Sequence, residues 1–191
     1  RRSFPLASPP PWRGRDREGG LGLTRETAAP IAHPETTVMT EVLFYHLQTR
    51  TLEQALPQLL EKCVERGWRT VVQTGSPERR DALDAHLWTY SEESFLPHGT
   101  MRDGDPADLA VLITADPTEP GPSEPPFTVR FLVDRAVAPE LTGLARAVFV
   151  FDGNDAEAVM EAREHWKSVK AAGHEATYWV QDERGRWVKK A

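Results

Sequence analysis

The stretch Thr70-Val-Val-Gln-Thr-Gly-Ser-Pro-Glu78 decides the fold class. Its first half, residues 70–74, is dominated by β-branched side chains and reads as a short strand. Its second half is a helix start. Ser76 can cap the first turn, and Pro77 sits at the first helical position, where its missing N–H is not needed. Glu78 lies near the positive end of the helix dipole. The helix is expected to run to about Trp88. A strand that turns directly into a helix is the building unit of layered α/β proteins.

The same alternation extends both ways. Upstream, residues 42–47 suit a buried strand, and Thr51 with Gln54 forms a capping box that opens a helix. That helix carries Leu52, Leu56, Leu59, Leu60 and Cys63 on one side; Pro57 is expected to kink it and Gly67 to end it. Downstream, residues 109–114 and 127–134 read as strands, separated by a loop over 116–126 that holds five prolines. Phe127, Val129, Phe131 and Val133 alternate with Thr128, Arg130 and Leu132, which predicts a sheet with two unequal faces. Residues 147–151 form another buried-strand candidate. A last helix covers about 155–172, and residues 178–181 and 186–189 form a closing hairpin around Asp182-Glu183-Arg184-Gly185. The predicted fold is α/β: a three-layer Rossmann-like sandwich with a partly parallel sheet, in one domain over residues 39–191.

Residues 1–38 stand apart. Pro5, Pro9, Pro10 and Pro11 precede a glycine- and charge-rich stretch without periodicity, so the segment reads as a disordered or non-native extension, with Met39 as the natural start. A functional basic tail is the alternative, because the segment has six Arg against four acids. The remaining chain has 17 basic and 25 acidic residues, a net of −8. Proteins that grip duplex DNA present a basic field to the phosphates, so any contact with DNA is expected to be indirect. No apolar run approaches the roughly 20 residues that span a bilayer. The single cysteine, Cys63, excludes an intrachain disulfide, and a cytoplasmic protein is expected.

Signatures of chemistry are sparse. The turn at Gly75 could offer backbone amides to a phosphate, but it matches neither G-x-G-x-x-G nor G-x-x-x-x-G-K-[ST], and an ordinary helix cap is the better reading. His98, Asp103, Asp105 and Asp108 lack the spacing of a calcium loop and read as a solvated segment. Cys63 lies on an apolar helix side, and His46 has no evident acid partner. No catalytic residue, metal or cofactor is expected. One cluster stands out: Arg163, Trp166, Lys167 and Lys170 share one face of the last helix, beside a small-residue stripe of Ala158, Ala162, His165, Val169 and Ala172. An aromatic wall among cations suits an acidic peptide with an apolar anchor. A Trp that merely completes the core, with solvated charges around it, fits the same spacing.

Two longer motifs carry a family resemblance. Ala162-Arg-Glu-His-Trp-Lys-Ser-Val-Lys-Ala-Ala-Gly173 resembles the pattern A-R-x-x-[YW]-K-x-x-[RK]-x-x-G in the last helix of the chi accessory subunit of bacterial DNA polymerase III. Leu83-Asp-Ala-His-Leu-Trp88 followed by Glu93-Ser-Phe-Leu-Pro-His98 resembles that family's L-D-x-x-L-W…S-F-x-P-H signature. Phe44-Tyr45 and Arg66-Gly67-Trp68 fit as well, so the likeness runs from about Met39 to Trp179. It implies a non-catalytic subunit that links the clamp loader to single-stranded-DNA-binding protein by holding the acidic C-terminal tail of the latter, which ends in Pro-Phe. The implied peptide-binding positions are Arg163, Trp166, Lys167 and Lys170, with Trp88 and Phe95 as apolar contributors. The resemblance also implies a second partner, the psi subunit or the clamp loader itself, with a helicase as a further candidate. Two other functions compete with this one: a small α/β enzyme that binds a nucleotide at the Gly75 turn, and direct single-strand binding through Trp166 and the basic stripe.

Overall fold

The structure is a computed structural model and describes residues 40–191. The expectations for residues 1–38 and for a start at Met39 lie outside the described residues. In chain order the elements are β1 (Glu41–Leu47), α1 (Leu52–Glu65), β2 (Thr70–Gln73), α2 (Pro77–Leu87), β3 (His98–Gly99), β4 (Val111–Thr114), β5 (Val129–Leu132), β6 (Arg146–Asp152), α3 (Ala156–Ala171), β7 (Glu175–Gln181) and β8 (Trp187–Lys189). They build an eight-stranded sheet in the order β3-β4-β2-β5-β6-β1-β7-β8. Every neighbouring pair is parallel except the β7–β8 hairpin. Parallel strands are covered on both faces, which explains why β2, β4 and β5 are buried at every position.

Two cores fill the layers. On one face, Ala55, Leu56, Leu59, Leu60 and Cys63 of α1 and Leu83 and Leu87 of α2 pack on Leu43, Val72, Ile113 and Phe131. On the other, Ala162 and Val169 of α3 pack on Val42, Phe44, Ala147 and Phe149. The three-layer α/β architecture is therefore the one the alternating pattern predicts. Burial raises the pKa of the Cys63 thiol, so the group packs as a small apolar side chain.

Local signals work as chemistry requires. Gln54 Oε1 accepts the Thr51 N–H at 3.2 Å, and Ser76 Oγ accepts the Arg79 N–H at 3.3 Å. The α1 helix runs through Pro57 without interruption. Proline removes the bond that would reach the Glu53 carbonyl four residues back, and His86 Nε2 takes that carbonyl instead, at 3.0 Å. A carbonyl only accepts, so His86 Nε2 carries the proton of this bond.

Three expectations shift. The strand expected over 127–134 is confined to Val129–Leu132, because Asp134 and Arg135 adopt left-handed backbone angles (φ 50° and 60°) and end it. The segment after His98 is no open loop at its start: His98, Gly99 and Thr100 are buried, and β3 pairs with β4. The strand expected over 109–114 begins at Val111, after a 3-10 turn over Pro106–Asp108.

Gly75 owes its identity to close packing. A Cβ there would lie 2.0 Å from the Asp134 carbonyl oxygen. Gly75→Ala is expected to destabilise the fold by about 1–3 kcal/mol, the usual scale of overpacking. Gly121→Ala, where a Cβ meets open space, is expected to leave stability unchanged in the same urea titration.

Candidate functional site

The geometry of the α3 face begins with one row of rings. Register places Phe149 of β6, Phe44 of β1 and Tyr178 of β7 side by side. Phe44 is fully buried and stacks on Phe149 at 4.8 Å between centroids, with Tyr178 on its other side at 6.5 Å. The α3 helix rides on this row. His165 lies over Phe149 at 4.9 Å, while Trp166 meets Phe44 and Tyr178 edge-on at 5.3 and 5.9 Å. Ala158, Ala162 and Val169 are buried beneath, and Trp166 is half-buried at the edge of the stripe.

That posture turns Arg163, Lys167 and Lys170 to solvent beside the ring. Lys170 Nζ lies 6.0 Å from the Trp166 centroid, at the outer limit of a cation–π contact. Lys167 is tied to Glu164 at 2.8 Å on the outward side. Among the described residues, Arg163 and Lys170 form no ion pair. The charge of Arg163 reaches the strands below it. Burial holds His46 under the ordinary imidazole value, against the pull of Asp152, and Arg163 pushes the same way as burial. Burial raises the Tyr178 hydroxyl, and Arg163 opposes that rise. His46 Nδ1 and Tyr178 Oη share a hydrogen bond of 2.9 Å. Sequence reasoning missed Tyr178 and His46 at this face. Their strands become neighbours only through the β6-β1-β7 order, which no local signal announces.

Trp88 and Phe95 do not join this group. Leu83 and Leu87 seat α2 on the sheet face opposite α3, and Leu96 packs into the same core. Trp88, 61% exposed, rests near His98 at 4.8 Å, on the β3–β4 side of the sheet. Four strand spacings separate β4 from β1, roughly 20 Å. The six-residue grouping expected from sequence is thus split: four residues lie on α3, Trp88 lies apart from them, and Phe95 is 75% exposed in the segment between α2 and β3.

The crevice where this fold class commonly binds nucleotides is also occupied by the protein's own groups. After β1 the chain turns to one face of the sheet and after β6 to the other, so the strands part at their carboxyl ends. A crevice of about 540 Å³ opens there. Its first-loop amides are taken, since Gln48, Thr49 and Arg50 all donate to Gln181 Oε1 at 3.1, 3.3 and 3.1 Å. Arg79 is held by Asp134 and Glu53, and Arg135 by Glu157 and Glu161. The Gly75 turn, for its part, abuts the Asp134 carbonyl. Nothing here favours the nucleotide alternative. Among the described residues no group of three or more His, Cys, Asp or Glu is arranged to hold a metal.

The profile of the DNA polymerase III chi subunit, HolC, matches residues 39–177. The chain belongs to the DNA polymerase III chi subunit family. It is similar to a Rickettsia prowazekii (strain Madrid E) protein described as a probable DNA polymerase III subunit chi, with 32% identity over 82 residues. The matched region is 43% of this chain and 50% of that relative, so the chain spans about half the length of the curated relative it matches. The chi family match contains all of α3 and the α2–β3 segment, and ends at Thr177. Most of β7 and all of β8 lie beyond it. No helix of the described residues is long and apolar enough to cross a membrane.

The half-buried posture of Trp166 makes a prediction about stability. Trp166→Ala is expected to lower the unfolding free energy by about 2 kcal/mol, below the cost of truncating a fully buried Trp. Arg163→Ala is expected to stay within about 0.5 kcal/mol of the parent protein. Equal losses in urea titrations of the two variants would contradict this description of the face.

Proposed function

We propose that the chain is a non-catalytic, cytoplasmic adaptor of the DNA polymerase III holoenzyme that binds the acidic C-terminal tail of single-stranded-DNA-binding protein on the α3 face. The observation that carries this reading is the half-buried Trp166 bordered by Arg163 and Lys170, neither of them neutralised by an ion pair among the described residues. The terminal carboxylate and neighbouring acids of the tail meet Arg163, Lys167 and Lys170. Its terminal Phe packs against Trp166 and Tyr178. An adaptor also needs a second surface that stays free when the first is filled. The exposed Trp88, on the opposite face, and the exposed Phe95 suit the clamp-loader side of the assembly, whether psi, the clamp loader itself or a helicase sits there.

The test is a binding titration with three labelled ligands: an acidic peptide ending in Pro-Phe, ATP and oligo(dT). The peptide alone is expected to bind saturably. Arg163→Ala is expected to weaken it by about 1.5–3 kcal/mol, the scale of a hydrogen bond to a charged group. Lys170→Ala is expected to cost less and to lose its effect in high salt, because an exposed pair is screened. Peptide affinity unchanged by Arg163→Ala at low salt would remove the α3 site. Saturable oligo(dT) binding without peptide binding would favour direct single-strand recognition.

A further inference from the structure

The hairpin that closes the sheet lies beyond the family match, and it borders the α3 face. Across the antiparallel pair, Val180 faces Val188, and the backbone bond from Lys190 N to the Tyr178 carbonyl (2.8 Å) sets Tyr178 opposite Lys190. Residues opposite one another in an antiparallel pair, and residues two apart along a strand, share a face. Tyr178 touches Trp166, so Val180, Val188 and Lys190 continue the surface that α3 begins. That continuation is concave. A hollow of about 550 Å³ is lined by Val180, Val188 and Lys190 and by the turn residues Asp182, Glu183, Arg184 and Arg186. Val188 is 39% exposed, and Lys190 forms no ion pair among the described residues.

We infer that this hollow is the second half of one groove, and that its occupant is the acidic stretch of an extended peptide whose apolar end sits at Trp166. The inference rests on the α3 reading above and deepens it. Charge complementarity selects the occupant: Lys190, Arg184 and Arg186 line the hollow beside Val180 and Val188, and Arg163 and Lys170 are exposed on the α3 face that Tyr178 adjoins. At the turn the charges of Asp182 and Glu183 stand beside those of Arg184 and Arg186. Asp182 is itself already held by Arg186 at 2.8 Å. From Tyr178 to Asp182 an extended chain advances by about 3.4 Å per residue, so the hairpin adds contacts for about four residues of peptide.

Three labelled peptides ending in Pro-Phe test this on the full chain at low salt. One is short, about six residues, on the extended-chain spacing used above. One adds about four acidic residues at its N-terminal side, and one adds the same number of neutral Ser and Gly residues. The acidic extension is expected to tighten binding about two- to fivefold over the neutral one, the range of one or two exposed ion pairs. Lys190→Ala is expected to erase that gain and leave the short peptide unaffected, whereas Arg163→Ala weakens all three. An acidic extension that adds nothing, or a gain that survives Lys190→Ala, overturns the hairpin's role while the α3 site stands. A short peptide that does not bind, or that ignores Arg163→Ala, overturns both.

Discussion

The surface of this protein is organised by the contact between Phe44 and the rings on either side of it. Phe44 sits on the strand paired on both edges, stacked on Phe149 and flanked by Tyr178, with no exposure to solvent. Burying such a ring contributes about 1.5–3 kcal/mol, and each well-placed aromatic pair adds about 0.5–1.5. The larger consequence is directional. With His165 over one end of the row and Trp166 over the other, α3 has one rotation about its axis that keeps both contacts. That rotation holds Arg163, Lys167 and Lys170 outward beside an indole that is half covered, so a core constraint sets which side chains face solvent.

The topology divides the outer surface further. Because α1 and α2 lie on one face and α3 on the other, the exposed Trp88 cannot merge with Trp166 into one patch. The crevice at the strand ends, by contrast, is lined by groups already paired internally: Gln181 fills the amides of the first loop, and Arg79 and Arg135 are both held by carboxylates. Asp134 and Arg135, both at left-handed backbone angles, are themselves members of those ion pairs.

What could be read in advance was local. Thr51 with Gln54, Ser76 with Pro77, and the small-residue stripe of α3 are patterns whose physics is complete within a few residues. The order of strands is not local, and most of the corrections trace to it. Tyr178 and His46 belong to the α3 surface only because β7 sits beside β1. Trp88 leaves that surface because α2 packs on the far face. The early end of β5 at Leu132 had no glycine to mark it, since the left-handed angles beyond it fall on Asp134 and Arg135. Pro57 carries the same lesson: the carbonyl it leaves free is taken by His86 from another helix.

The six tryptophans offer a direct test of the proposal that an acidic peptide docks on α3. Indole N–H resonances of the nitrogen-15-labelled chain, followed during titration with an acidic Pro-Phe peptide, report on each site separately. A saturable shift of the Trp166 indole, with the Trp88 and Trp68 indoles unmoved, is the result predicted by a groove that begins at α3. A shift at Trp88 while Trp166 stays fixed would contradict it.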